Sequence, residues 1–100
     1  MVIKIKNMRD EKPVKPWDVR VDRNTPLGNP FFMKDEDDRD RVCDKYDNWF
    51  DDAAESVYCQ RELDRLIDIL HHYGKINLFC WCAPKRCHAE TIKAYLIEWA

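Results

Sequence analysis

One hundred residues with 17 Lys+Arg against 19 Asp+Glu make a single domain, 1–100, with a formal net charge of -2; this is too short for a multidomain machine, and the charge balance gives no electrostatic case for nucleic-acid binding. The 45% of hydrophobic residues, among them 4 Trp, 4 Tyr and 4 Phe, suffices for one modest core without obligatory staples. An enzyme, a ligand-binding domain and a protein-binding inhibitor all survive this arithmetic.

Residues 2–6 alternate Val-Ile-Lys-Ile-Lys and form a short strand. The charged stretch from Arg9 to Pro16, with Pro13 and Pro16, is a loop. Val19 and Val21 then face one way between Asp18, Arg20 and Asp22, the period of a second strand ending near Arg23. The run from Asn24 to Phe32 holds two prolines and Gly28, so it is a shaped loop directly after a strand.

From Asp35 to Asp52 the chain is highly acidic, yet Val42, Tyr46, Trp49 and Phe50 recur at helical spacing, with Asp35 to Asp38 placed near an N-terminal dipole. Leu63, Leu66, Ile67 and Leu70 define a second helix, and Gly74 sits where a left-handed cap is wanted. Residues 75–82 are apolar and β-prone, Pro84 breaks them, and Ile92, Tyr95, Leu96 and Trp99 mark a final amphipathic helix. The expected fold class is α/β, a small two-layer or three-layer domain of order β-β-α-α-β-α with a short, partly parallel sheet. Strands separated by helices lie parallel with a right-handed crossover. The Arg23–Phe32 loop and the Cys80–His88 loop should therefore meet at the edge where open α/β sheets hold ligands.

No apolar run approaches the roughly 20 residues that cross a bilayer, and the opening segment lacks the apolar core of a secretion signal. A cytoplasmic protein with no membrane partner is expected. Of the five cysteines, Cys80, Cys82 and Cys87 crowd together, which reads as reduced thiols serving a site rather than a disulfide framework.

The segment Cys80-Trp81-Cys82-Ala83-Pro84-Lys85-Arg86-Cys87-His88 admits three readings. As a metal site, Cys80, Cys82, Cys87 and His88 would hold zinc, with Cys80 and Cys82 on one strand face and Trp81 on the other. The adjacent Cys87 and His88 diverge, so a ligand from elsewhere, such as His71 or His72, would help close the set. As an anion site, the helix N-terminus with Lys85 and Arg86 would hold phosphate and favour a thiolate. Cys80 and Arg86 match a phosphatase Cys-x5-Arg spacing, but Pro84 removes an amide and no glycine eases the wrap. In the third reading the cysteines are small buried hydrophobes and His88 only packs; Cys43 and Cys59, alone on helices, are read that way.

In the earlier loop Gly28 allows positive φ or close backbone approach, Asn29 brings an amide, Pro30 fixes the path and Arg23 adds a charge. A plain turn is the alternative. Arg39 and Arg41 either pair on the surface or turn inward to the pocket.

At these loops the chain resembles a family of small uncharacterised bacterial and phage proteins known as a domain of unknown function. The residues that carry the resemblance are Arg23, Gly28-Asn29-Pro30-Phe31, Arg39 and Tyr46, then Cys80-Trp81-Cys82, Pro84, Cys87 and His88; Ala89 stands where a glycine is common. The resemblance runs from about residue 17 to the end and implies a compact α/β domain whose signature residues gather around one pocket.

The leading expectation is a small-ligand site for a nucleotide or other phosphate- or sugar-bearing molecule. Arg23, Gly28, Asn29, Pro30, Arg39 and Arg86 would bind it, and Cys82, Cys87 or His88 would supply any catalytic step. The alternatives are a zinc-binding structural module, and a phage-type inhibitor that engages a host protein through Asp37, Asp38 and Asp40 on the acidic helix.

Overall fold

The apolar run after Gly74 becomes the middle of the sheet. In the computed structural model, which describes residues 1–83 and 85–100, strands β1 (Val2–Asn7) and β2 (Asp18–Arg20) flank β3 (Lys75–Cys80). Both flanking strands run parallel to β3, β1 in register from Val2↔Lys75 to Asn7↔Cys80 and β2 from Asp18↔Asn77 to Arg20↔Phe79. Ile76, Leu78, Phe79 and Cys80 are all buried, as expected of the central strand of a parallel sheet. The sheet is wholly parallel, because the proline-bearing segment between β1 and β2 returns the chain to the starting end instead of turning a hairpin.

The helices are α1 (Arg39–Ala53), α2 (Val57–Tyr73) and α3 (Ala89–Trp99), with a short 3-10 turn at Glu36–Asp38 before α1. The order is therefore β-β-α-α-β-α, an α/β fold, as the sequence implied. The Ser56 hydroxyl caps α2 by accepting from the Cys59 amide at 3.2 Å. Gly74 ends α2 with φ 71°, its amide bonded to the Leu70 carbonyl. The acidic helix begins only at Arg39, since Asp35 to Asp38 form the tighter turn.

One apolar cluster joins Ile76, Leu78 and Cys80 from a single face of β3 to Val19 of β2 and to buried side chains of all three helices, including Tyr46, Phe50, Leu63, Leu66, Leu70, Ile92 and Leu96. This is a two-layer packing of helices on one sheet face. Trp99, expected on the buried stripe of α3, is instead 64% exposed. Pro84, expected to break the last strand, lies outside the described residues. Among the described residues no helix is long and apolar enough to cross a membrane.

The consequence for function is directional. Met8 and Val21 donate their amides to Cys80 and Phe79 carbonyls, at 2.8 and 3.0 Å, so all three strands finish on one edge. The Arg23 loop leaves β2 there and the cysteine loop leaves β3 there.

Candidate functional site

Beyond that edge lies a cleft of about 340 Å³ whose lining includes Arg23 and Asn29 from the first loop, Cys82, Arg86, Cys87 and His88 from the second, and Arg39 from α1. The two loops thus converge as their topology requires. Of the residues expected to bind the ligand or carry the thiol chemistry, Gly28, Pro30, Cys80 and Lys85 do not line it.

Gly28 serves the loop in another way. Its φ is not positive; the glycine is needed because a Cβ there would stand 2.4 Å from the Asp22 carbonyl oxygen and 2.6 Å from the Arg23 Cα. Close approach presses residues 27–29 onto the end of β2. Arg23 then closes the loop over itself, donating to the carbonyls of Asn29 and Phe31 at 2.9 Å each and stacking its guanidinium on Phe32 at 4.5 Å. Asn29 is buried, and its Oδ1 accepts from the Phe31 amide at 2.9 Å. The Tyr46 hydroxyl, wholly buried, donates to the Leu27 carbonyl at 2.7 Å, fixing the same loop to α1. Burial pushes that phenol far above its ordinary range.

The second loop is held by Asn7, which the sequence gave no reason to single out. Its Nδ2 donates to the carbonyls of Trp81 and Ala83 at 3.1 and 2.8 Å. Those bonds turn the chain out of the ladder after Cys80. Trp81 and Cys82 therefore no longer alternate as strand residues; both reach the cleft, while Cys80 stays in the core. Cys87 links core and cleft, since its Sγ lies 3.2 Å from that of Cys80 and it lines the cleft together with Cys82.

The charges of this group follow from its donors. The neighbouring Cys87 thiol holds both Cys80 and Cys82 below the ordinary thiol range, at about 6 and about 5, and the Arg39 guanidinium lowers Cys82 further. Cys87, buried beside those two sulfurs, is driven the other way. Of the two lowered thiols, Cys82 is the one that also faces Arg39 and the cleft.

His88 is buried, and burial lowers its pKa. Its Nε2 sits on the Val21 carbonyl, an acceptor only, so Nε2 carries the hydrogen and Nδ1 of the neutral ring keeps a free lone pair. The ring meets Tyr46 edge-on at 5.1 Å between centroids.

The α3 N-terminus is not an open anion cradle. The Glu90 carboxylate accepts from the Cys87 amide at 3.0 Å, and the Glu90, Thr91 and Ile92 amides bond the Cys87 and His88 carbonyls. Arg86 faces α1, where Asp40 and Asp44 take it at 3.0 and 2.9 Å and Asp47 lies 3.6 Å away. The phosphatase-like spacing of Cys80 and Arg86 is thus not built into one phosphate loop. Arg39 does turn inward: its side chain is 14% exposed, and it bonds the Arg86 carbonyl as well as Glu36. Arg41 remains at the surface on Asp38.

Among Asp37, Asp38 and Asp40, the last two are therefore paired with arginines, and Asp37 is exposed without an ion-pair partner among the described residues. Among the described residues no group of three or more His, Cys, Asp or Glu side chains is arranged to hold a metal ion. His71 and His72 lie in the last turn of α2 and do not line the cleft.

Asp22, Trp81 and Cys43 are among the cleft residues that escaped the sequence reading as functional. Asp22 is 5% exposed; its Oδ2 accepts from Arg20 at 2.6 Å and from the Trp81 indole N–H at 3.2 Å, while Oδ1 has no partner among the described residues. Trp81 is 58% exposed at the mouth. Cys43 forms part of the wall from α1, whereas Cys59 packs as expected, its thiol on the Pro26 carbonyl at 3.6 Å. A polar residue just past a strand that leads into a ligand loop was the available signal for Asp22.

Fold and cleft define a small α/β domain with a thiol-bearing pocket at the C-terminal edge of a parallel sheet. The family described as a domain of unknown function, DUF4326, matches residues 3–98, and the chain belongs to it. No curated protein and no solved structure matches the chain significantly.

Proposed function

We propose that the protein binds a small anionic ligand of the nucleotide class in this cleft, the negative group on Arg23 and the sugar or base near Asn29, Asp22 and Trp81. The observation that carries the reading is the meeting of Arg23 and Asn29 with Cys82, Cys87 and His88 around one cavity. Arg23 is a cleft arginine with no ion-pair partner among the described residues, unlike Arg39 and Arg86. It keeps its charge for an incoming anion. The unpartnered Asp22 oxygen favours a ligand that brings a hydroxyl or amino donor, because a buried acceptor left unpaired costs about 1–3 kcal/mol. An exposed indole beside it offers a face to a base or a sugar.

Calorimetric titration with adenosine 5′-monophosphate and with inorganic phosphate tests this reading. Saturable binding of the nucleotide should weaken about 10- to 100-fold in Arg23→Gln, the scale of one charge-assisted contact. Absence of binding by either probe in the folded wild-type protein contradicts the assignment. Should a reaction accompany binding, the Cys82 sulfur is the nucleophile and His88 Nδ1 the proton acceptor, the two groups on the cleft wall with the electrons for it.

A further inference from the structure

The three sulfurs have an order that ligand binding does not need. Cys82 is half-buried and faces the cleft, Cys87 is buried behind it, and Cys80 is buried deeper in the apolar cluster with its sulfur 3.2 Å from that of Cys87. Cys87 shares the cleft wall with Cys82 on one side and meets Cys80 on the other. A core that needs only small apolar fillers does not require three thiols in line from solvent to interior.

We propose that Cys82, Cys87 and Cys80 form a thiol relay that reacts with small hydroperoxides and stores the oxidation as a buried Cys80–Cys87 disulfide. In the first step the Cys82 sulfur attacks the terminal peroxide oxygen. An S–O bond forms, the O–O bond breaks, and the departing oxygen takes a proton to leave as water or an alcohol; sulfur is oxidised by two electrons and the peroxide reduced by two. Next the Cys87 sulfur attacks that of Cys82, an S–S bond forms, and the hydroxide leaves with the Cys87 proton as a second water. Finally the Cys80 sulfur attacks that of Cys87, and Cys82 departs with the Cys80 proton as a free thiol. The net change is two thiols and one hydroperoxide giving one disulfide, water and the reduced hydroperoxide fragment.

Geometry supports each assignment. Only Cys82 of the three meets the cleft with more than a buried surface, so the oxidant enters there. Arg39 lines the same cleft, and its charge favours the thiolate form of Cys82. The Cys80 and Cys87 sulfurs need to approach by about 1 Å to reach the bond length of roughly 2.0 Å. The closing movement falls on the segment before α3, which the Glu90 carboxylate holds by one amide of Cys87.

The test is peptide mapping of the reduced, full-length protein after treatment with hydrogen peroxide and alkylation under denaturing conditions. The expected end product is a Cys80–Cys87 link reversed by dithiothreitol, with Cys43, Cys59 and Cys82 alkylated. Cys87→Ser should accumulate sulfenic acid on Cys82, captured by dimedone, and Cys82→Ser should form the link about tenfold more slowly or worse. Alkylation of untreated native wild type, which needs no variant to fold, should label Cys82 before Cys80 and Cys87. A final link that involves Cys43, Cys59 or Cys82, the lack of any link, or equal labelling of the three thiols overturns the relay. Nucleotide binding to the reduced protein is measured separately, so failure of the relay and failure of the ligand assignment are distinguishable.

Discussion

His88 gives its Nε2 hydrogen to the carbonyl of Val21, joining the residue that opens α3 to the one that leaves β2. A protonated His88 would keep that bond but place a charge in an environment whose burial opposes it. Its pKa is lower folded than unfolded, so as pH falls below the ordinary value of 6.5 the unfolded chain takes up the proton first, and stability falls with it. Glu36 and Asp38 are held at about 2, below that window, whereas the lowered Cys80 and Cys82 thiols, at about 6 and about 5, add a loss of their own as pH falls through it, which His88→Gln leaves in place. Thermal unfolding from pH 7.5 to 5 should show a loss of melting temperature that is reduced in His88→Gln. Identical pH profiles for the two proteins would remove His88 as the origin.

Tyr46 anchors the first loop through one bond to Leu27. Tyr46→Phe keeps the ring against His88 but leaves a buried carbonyl without its donor. The expected cost is about 1–3 kcal/mol. Chemical denaturation should show a lower midpoint with unchanged slope, and weaker nucleotide binding should accompany it, because Leu27 precedes the Gly28-Asn29 pair.

At Gly28 the obstacle is backbone, not conformation. The added methyl of Gly28→Ala meets the Asp22 carbonyl and the Arg23 Cα, neither of which can rotate away. A destabilisation of about 1–3 kcal/mol is expected, as for other forced overpacking. Gly74→Ala provides the contrast: it has open space but φ 71°, so its cost comes from a left-handed backbone alone, about 1 kcal/mol. Urea midpoints of the two variants rank them, and Gly28→Ala alone should alter the Trp81 environment, read by indole fluorescence.

Much of this arrangement is legible in the chain itself. The run Ile76 to Cys80 names a buried central strand, and two strands separated by helices dictate a common edge, so the meeting of Asn29 and His88 follows from periodicity and topology. Gly74 is legible because a positive φ at a helix end has one favoured residue. The end of β3 is not. It depends on Asn7, whose amide reaches the Trp81 carbonyl from 74 residues away, and no local pattern encodes such a bond. Arg86 shows the same limit: next to cysteines it reads as an anion ligand, whereas packing of α1 beside it supplies Asp40, Asp44 and Asp47 as partners.

The central claim is that residues from both loops act on one ligand. Nuclear magnetic resonance of the reduced protein during titration with adenosine 5′-monophosphate tests it most directly, through the Trp81 indole N–H, the Asn29 side-chain amide and the His88 ring. All three signals should shift along a single saturation curve, and inorganic phosphate should move the Arg23 signals in the same direction. Shifts confined to one loop, or centred on the lysines around β1, would contradict a shared cleft.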